Sequence, residues 1–273
     1  MKVSLIITTY NWPEALAVVL DSVQRQTYAA FEIIIADDGS SSDTAKVIRQ
    51  CLANTSMPWR HVRHGDHGIR QARIKNLAVS HATGGYFIFV DHDVVLHPRF
   101  IEDHVRFSDN SCFLQGKRVF LSAELTQACL SDGKLQRPTF LARGLENRKN
   151  SIRIPGLVNW INPRKRHQTS LRGCNLSMHR DAFVKIDGYD ETFDGLWGRE
   201  DSDICYRLFH NGWRVQNLWL AGIQYHLHHP SIKRRKRDRL DDELDVNLKE
   251  KRLRAIVGYS RLSAEGRIIA SNY

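Results

Sequence analysis

Cysteine is sparse and unpatterned in this chain. The five cysteines, Cys51, Cys112, Cys129, Cys174 and Cys205, are an odd number, widely scattered, with no CxxC pair. That pattern argues against a disulfide framework or a zinc ribbon and predicts reduced, mostly buried thiols. Long apolar runs are missing as well: none approaches the ~20 residues a membrane-spanning helix needs. Met1 to Ile7 runs straight into strand-like sequence with no signal-type apolar region or cleavage site, so the expected location is the cytoplasm. Neither GxGxxG nor GxxxxGK[ST] occurs, which argues against a dinucleotide-dependent dehydrogenase and a P-loop ATPase.

What the chain does have is positive charge and a sizeable apolar fraction. Its 273 residues carry a formal net charge of +10 and 42% hydrophobic residues. The apolar share rules out disorder throughout and allows one large core. The charge points to an anionic partner: nucleic acid, an anionic membrane surface or a phosphorylated substrate.

Hydrophobic periodicity gives the organisation. Val3–Thr8 reads as a first strand; Pro13 and Glu14 suit a first helical turn, with Leu16, Val19, Leu20 and Val23 on one face. Phe31–Ala36 is a second strand, followed by a helix using Ala45, Ile48 and Leu52. Trp59–Val62 is a weaker third strand, and Ile69–His81 a helix carrying Arg70, Arg73 and Lys75. Strands alternating with helices predict a doubly wound, mostly parallel sheet, in which ligands bind at the carboxyl ends of the strands.

A fourth strand, Tyr86–Val90, runs without polar alternation into Asp91-His92-Asp93. Unpaired buried carboxylates are costly, so two acids closing a greasy strand need a purpose. One is to open a loop and cap the helix near Pro98. The other is to face a hard divalent cation such as Mg²⁺ or Mn²⁺. Thr8-Thr9-Tyr10 and Asp37-Asp38-Gly39 also follow strand ends, so three polar clusters share one rim.

The order and spacing of these pieces over residues 1–100 resemble a family 2 glycosyltransferase of the GT-A fold. The matching stretches are Val3–Asn11, Asp21–Tyr28, Glu32–Ser40, Ala72–Asn76, Ala82–Tyr86 and Asp91–Asp93. Further on, Ser170–Met178, Gly188–Phe193 and Trp197–Asp203 are similar to the branch shared by chondroitin-type polymerases and β-1,4-galactosyltransferases. The resemblance implies a nucleotide-sugar-binding half (1–100), an acceptor-binding half (101–230) and a basic helical tail (231–273). It places Thr8, Tyr10, Asp37, Asp38 and Arg73 around the nucleotide. Asp93 and Asp91 become metal ligands, with Asp91 also leaning towards the ribose. Asp201 becomes the general base, Glu200 a positioning acid and Trp197 a sugar-stacking ring. His226 would complete the metal site, with His228 in reserve, and His92 would point away.

The implied reaction is inverting transfer of a sugar from a nucleotide sugar, uridine-linked by resemblance, to a hydroxyl of a glycan or glycolipid in polysaccharide or glycoconjugate synthesis. Mn²⁺ or Mg²⁺ is the implied cofactor. Two alternatives stay open: a sugar nucleotidyltransferase, which releases pyrophosphate, and a non-catalytic basic adaptor. Lys233–Arg239 suits a peripheral position on an anionic membrane surface at the inner face; a nucleic-acid partner is disfavoured because no recognised motif accompanies the run. Residues 122–169 read as a long polar loop near the acceptor, and Trp213–Gln224 as one strand.

Overall fold

A computed structural model describes residues 1–136, 138, 140–169, 172–230, 237–262 and 267–271. The alternation expected from sequence is present. β1 (Val3–Thr9), β2 (Phe31–Asp37), β3 (Trp59–Arg63) and β4 (Tyr86–Asp91) are joined through α1 (Pro13–Gln24), α2 (Ser42–Leu52) and α3 (Gln71–Ser80). β1 and β2 are buried along their whole length, as strands covered by helices on both faces must be. Leu16, Val19, Leu20 and Val23 of α1 are fully buried against them.

The remaining elements are β5 (Val94–Leu96), α4 (Phe100–Phe107), β6 (Cys112–Gln115), β7 (Arg118–Leu121), α5 (Ala123–Asp132), β8 (Leu145–Glu146), α6 (Val158–Ile161), β9 (Asn175–His179), α7 (Arg180–Lys185), α8 (Glu200–His210), β10 (Arg214–Asn217), β11 (Gln224–His226), α9 (Arg239–Glu250) and β12 (Arg267–Ser271). The main sheet has the order β10-β6-β9-β4-β1-β2-β3-β12. Its centre, β4-β1-β2-β3, is parallel; β9 and β12 run antiparallel to their neighbours. A second sheet, β5-β11-β7-β8, stands beside the end of β4.

Register builds the rim. Thr8 pairs opposite Asp91, and Thr9 opposite Asp37, so the polar ends of three strands lie side by side. At the opposite ends of the strands the fully buried Glu32 accepts Ser4 Oγ at 2.6 Å, Gly84 N at 3.0 Å and Arg60 at 3.1 Å. A side chain at Gly84 would collide with Ser4, which explains the glycine just before β4.

Three sequence readings are corrected. Trp213–Gln224 is two strands in two different sheets, because the chain turns at Leu220 (φ 76°) and Gly222 (φ 55°). Residues 122–169 hold α5, β8 and α6; their apolar positions, Cys129, Leu145 and Val158, are buried, but too far apart to show periodicity. The segment after residue 231 is helical in part but not peripheral: Leu240 and Leu244 of α9 sit in the main core and β12 extends the sheet. Of the basic run, residues 231–236 lie outside the described residues, as do Ser170 and Leu171. The described cysteines are free, and all but Cys51 are buried.

Candidate active site

β4 ends at Asp91, the chain turns, and β5 begins at Val94. β11 pairs antiparallel with β5, His226 opposite Val94, and Leu227 N–H donates to the Asp93 carbonyl at 2.9 Å. That pairing delivers His226 Nε2 to 3.4 Å from the Asp93 carboxylate, and the turn beyond brings His229 Nε2 to 3.2 Å. Asp93, His226 and His229 therefore offer three ligand atoms within 4.8 Å of one another. Among the described residues Asp93 Oδ1, a buried oxygen, has no hydrogen-bond partner. A carboxylate with two imidazoles is a donor set for a divalent ion. Burial opposes ionisation of Asp93, but the hydrogen bond from His229 and the charge of His226 outweigh it and hold the carboxyl below its usual range.

His228, the expected reserve ligand, is not in the cluster: its backbone N–H is tied to Thr126 Oγ1 at 2.7 Å and its side chain faces outward. The third ligand atom comes from His229, which the sequence reading passed over. Trp12 stands edge-on to both His229 and His92, with centroids 6.0 and 6.1 Å away. His92 turns back onto β1, Nδ1 lying 3.3 Å from the Thr8 carbonyl.

Across the rim stands the N-terminus of α8. Gly198 (φ 94°) and Arg199 (φ 80°) turn the chain into it, and Glu200 and Asp201 occupy its first turn, where the helix dipole favours anions. Lys75 of α3 joins them: its Nζ donates to Glu200 Oε1 at 3.1 Å and Asp201 Oδ1 at 3.2 Å. Burial works against charge on Lys75, but Asp201 and Glu200 outweigh it and hold its pKa well above the ordinary lysine range. Asp201 Oδ2 accepts the Gly173 N–H at 2.8 Å. A Cβ at Gly173 would overlap the Asp201 carboxyl, so glycine is required there by close approach. Burial, then Asp93, push Asp91 up to about 7, with Lys75 pulling the other way; the two halves of the site are thus in one electrostatic field.

The helix α9 holds α8 in place. Arg199 donates to Asp241 at 2.7 Å, and Asn247 to Asp203, whose carboxylate also accepts Arg207 at 2.8 Å.

Among the residues expected around a nucleotide the placements diverge. Thr8 Oγ1 is buried without a hydrogen-bond partner among the described residues, and Tyr10 is 47% exposed. Asp38 is nearly buried, Oδ1 on His64 at 2.6 Å and Oδ2 accepting Arg70 N–H at 3.0 Å. Asp37 does not face the cleft: it is fully buried, bonded to His61 at 2.7 Å and to Ser40 N at 2.7 Å, where it fixes the turn after β2. Arg73 is 8% exposed and donates to Glu191 at 3.0 Å, so its guanidinium braces the loop before α8. Trp197, beside α8, is 46% exposed.

The site is thus a carboxylate–histidine cluster on the carboxyl rim of a mixed sheet, with a charged helix N-terminus facing it. Comparison with known proteins makes this specific. The glycosyl transferase family 2 profile matches residues 4–158, more than half of the chain, and that of the N-terminal domain of galactosyltransferase matches residues 161–230. The chain belongs to glycosyl transferase family 2. It is 26% identical over 260 residues to a hyaluronan synthase of Pasteurella multocida (86% of this chain, 25% of the synthase). It is also 26% identical over 249 residues to a chondroitin synthase of Escherichia coli (83% and 35%). The chain thus spans at most about a third of these synthases. Among solved structures, Staphylococcus aureus TarS 1–349 in complex with UDP-GlcNAc superposes with a TM-score of 0.62 at 17% identity, covering 85% of this chain and 60% of that one. The mannosyltransferase PcManGT of Pyrobaculum calidifontis in complex with GDP-Man and Mn²⁺ gives 0.57 at 16%, covering 85% and 58%. These likenesses establish the GT-A-type fold. No helix among the described residues is long and apolar enough to cross a membrane.

Proposed function

We propose that the chain transfers a sugar, with inversion, from a uridine-linked nucleotide sugar to a hydroxyl of a glycan or glycolipid acceptor in polysaccharide synthesis. The observation that carries this reading is the convergence of Asp93, His226 and His229 on one side of the rim and Lys75, Glu200 and Asp201 on the other. The names of the relatives, a hyaluronan and a chondroitin synthase, and of the fold neighbours bound to UDP-GlcNAc or GDP-Man, support it.

Asp93, His226 and His229, with Asp91 behind them, would hold a divalent cation; two imidazoles and a carboxylate suit Mn²⁺ better than Mg²⁺, which prefers oxygen. Such an ion, when bound, neutralises the charge developing on a departing diphosphate. The protein residues do the rest. Asp201 takes the acceptor hydroxyl proton as the oxygen–anomeric carbon bond forms and the bond from that carbon to the diphosphate oxygen breaks. Lys75 holds Asp201 in position through its hydrogen bond, and Glu200 fixes Lys75 from the buried side. Tyr10, Thr8 and Asp38 line the nucleotide side, and Trp197 covers a sugar face.

The test is a panel of nucleotide sugars titrated against the protein with Mn²⁺ and with chelator. Metal-dependent binding of one donor, with release of nucleoside diphosphate on turnover, is the expected result. Release of pyrophosphate would identify a nucleotidyltransferase instead, and absence of any nucleotide-sugar binding would refute the proposal.

A further inference from the structure

A second concavity, of about 420 Å³, opens on the acceptor half, bordered by Lys117, Lys149, Lys165 and Arg172, with Asn217 and Trp219 among its walls. No acid lines it. Among the described residues none of these four cations has a carboxylate partner, whereas neighbouring Arg153 and Arg164 pair with Asp103 (2.6 Å) and Asp109 (3.1 Å). The four charges act on one another: burial first, then Arg172, Lys165 and Lys149, hold Lys117 below the ordinary lysine range.

The backbone beneath these cations is fixed. Lys165 exchanges two 2.8 Å hydrogen bonds with Val215, and the Arg172 carbonyl accepts Gln115 Nε2 at 3.0 Å. Asn162 donates to the Trp219 carbonyl at 3.0 Å. A rigid frame that gathers like charges without an internal counter-charge raises the local potential and attracts an anion from outside. The place is informative too. Arg172 immediately precedes Gly173, whose N–H binds Asp201, so one wall of the cleft adjoins the proposed base.

We propose that this cleft seats an oxyanion, carboxylate or phosphate, carried by the acceptor glycan near the reacting hydroxyl, with Trp219 beneath a sugar ring. Arginine and lysine bind both oxyanions through charge-assisted hydrogen bonds, and indole faces pack on sugars. A neutral acceptor has no use for four unpaired cations. The inference rests on the reading of Asp201 as the base only for the identity of the ligand as acceptor.

The test uses the whole protein and calorimetric titration with two pairs of probes and one control. These are a uronic-acid oligosaccharide and its carboxyl-reduced form, a sugar-phosphate oligomer and its dephosphorylated form, and a single-stranded oligonucleotide of matching charge. At least one anionic glycan should bind about tenfold or more tightly than its neutral form, the scale of one lost charge-assisted bond. Which pair shows the preference tells carboxylate from phosphate. Lys165→Gln with Arg172→Gln should erase the preference, and Lys165→Arg should keep it. Equal binding of charged and neutral glycans, a preference that survives the double substitution, or an oligonucleotide binding as tightly as the glycan overturns the proposal. Donor binding, measured separately with Mn²⁺ on the unsubstituted protein, separates the two readings: its failure with the anion preference intact counts against the donor reading alone.

Discussion

Replacing Lys75 by methionine tests the charge arrangement at the centre of the site. The ammonium lies 3.1 and 3.2 Å from two carboxylates, and its side chain is 3% exposed. At an effective dielectric of about 20, each contact is worth about 5 kcal/mol of Coulomb energy, most of it offset by desolvation of the three groups. Removing one member of a buried ion pair costs about 3–5 kcal/mol because the partner stays buried and unpaired. Asp201 keeps 25% of its side chain exposed, which favours the lower end, about 3 kcal/mol. For a chain of this size that corresponds to a fall in Tm of about 6–12 °C, readable by calorimetry. The rate should carry a second signature. Without the ammonium, Glu200 loses the charge and hydrogen bond that draw its burial-raised pKa down, so the acidic limb of kcat/KM moves to higher pH. Lys75→Met protein that melts within about 2 °C of the original, with an unmoved acidic limb, would refute the reasoning.

Other substitutions probe other links. Gly173→Ala places a methyl on the Asp201 carboxyl and removes the free approach of its N–H; kcat should fall about 100-fold or more with donor affinity kept, measured by transfer kinetics and donor titration. His229→Ala should weaken Mn²⁺ binding by about tenfold or more, whereas His228→Ala should leave it unchanged, which calorimetric metal titration can compare. Stability should fall with acidity through His104. That ring is fully buried, Nδ1 on Ser177 Oγ at 2.7 Å and Nε2 on Asn175 Oδ1 at 3.0 Å, and burial pushes its pKa down to about 3. The folded value lies below the unfolded one, near 6.5, so the unfolded chain binds the extra proton between them and stability is lost as pH falls through that window. The loss from this group is about 2 kcal/mol at pH 5, and His104→Gln should flatten the denaturation profile there.

How far the sequence could be read follows from which interactions are local. β1–β4 and their helices were legible because each buried strand is a continuous apolar run, and each helix shows its face at i, i+3, i+4 spacing. Asp91 and Asp93 were legible because acids closing a greasy strand conflict with burial. Lys75 was not: on a helix with Arg70 and Arg73 its charge looks like a solvated face, and only the packing of α3 against α8 makes it a buried cation. His229 was hidden by its neighbours, since three histidines in four residues give no hint of which way each ring turns. Pairing of β11 with β5 decides that, and the decisive register is set by residues some 130 positions apart. Asp37 and Arg73 show the converse. Both stand where the sequence suggests a ligand residue, and the fold also pairs them with Ser40, and with His61 and Glu191, which lie too far along the chain to be read as partners. α9 carries few apolar residues, so Leu240 and Leu244 among acids gave little sign that they enter the core.

The central claim is that one rim binds the donor through Asp93 and its histidines while Asp201 acts on the acceptor. The direct measurement is calorimetric donor titration with Mn²⁺, alongside single-turnover transfer, for Asp93→Asn and Asp201→Asn. Asp93→Asn should lose metal-dependent donor binding, and with it transfer. Asp201→Asn should bind donor within about threefold of the original affinity, yet lose transfer by about 1,000-fold or more. Full donor binding and turnover in Asp93→Asn, or unimpaired transfer in Asp201→Asn, would contradict the account.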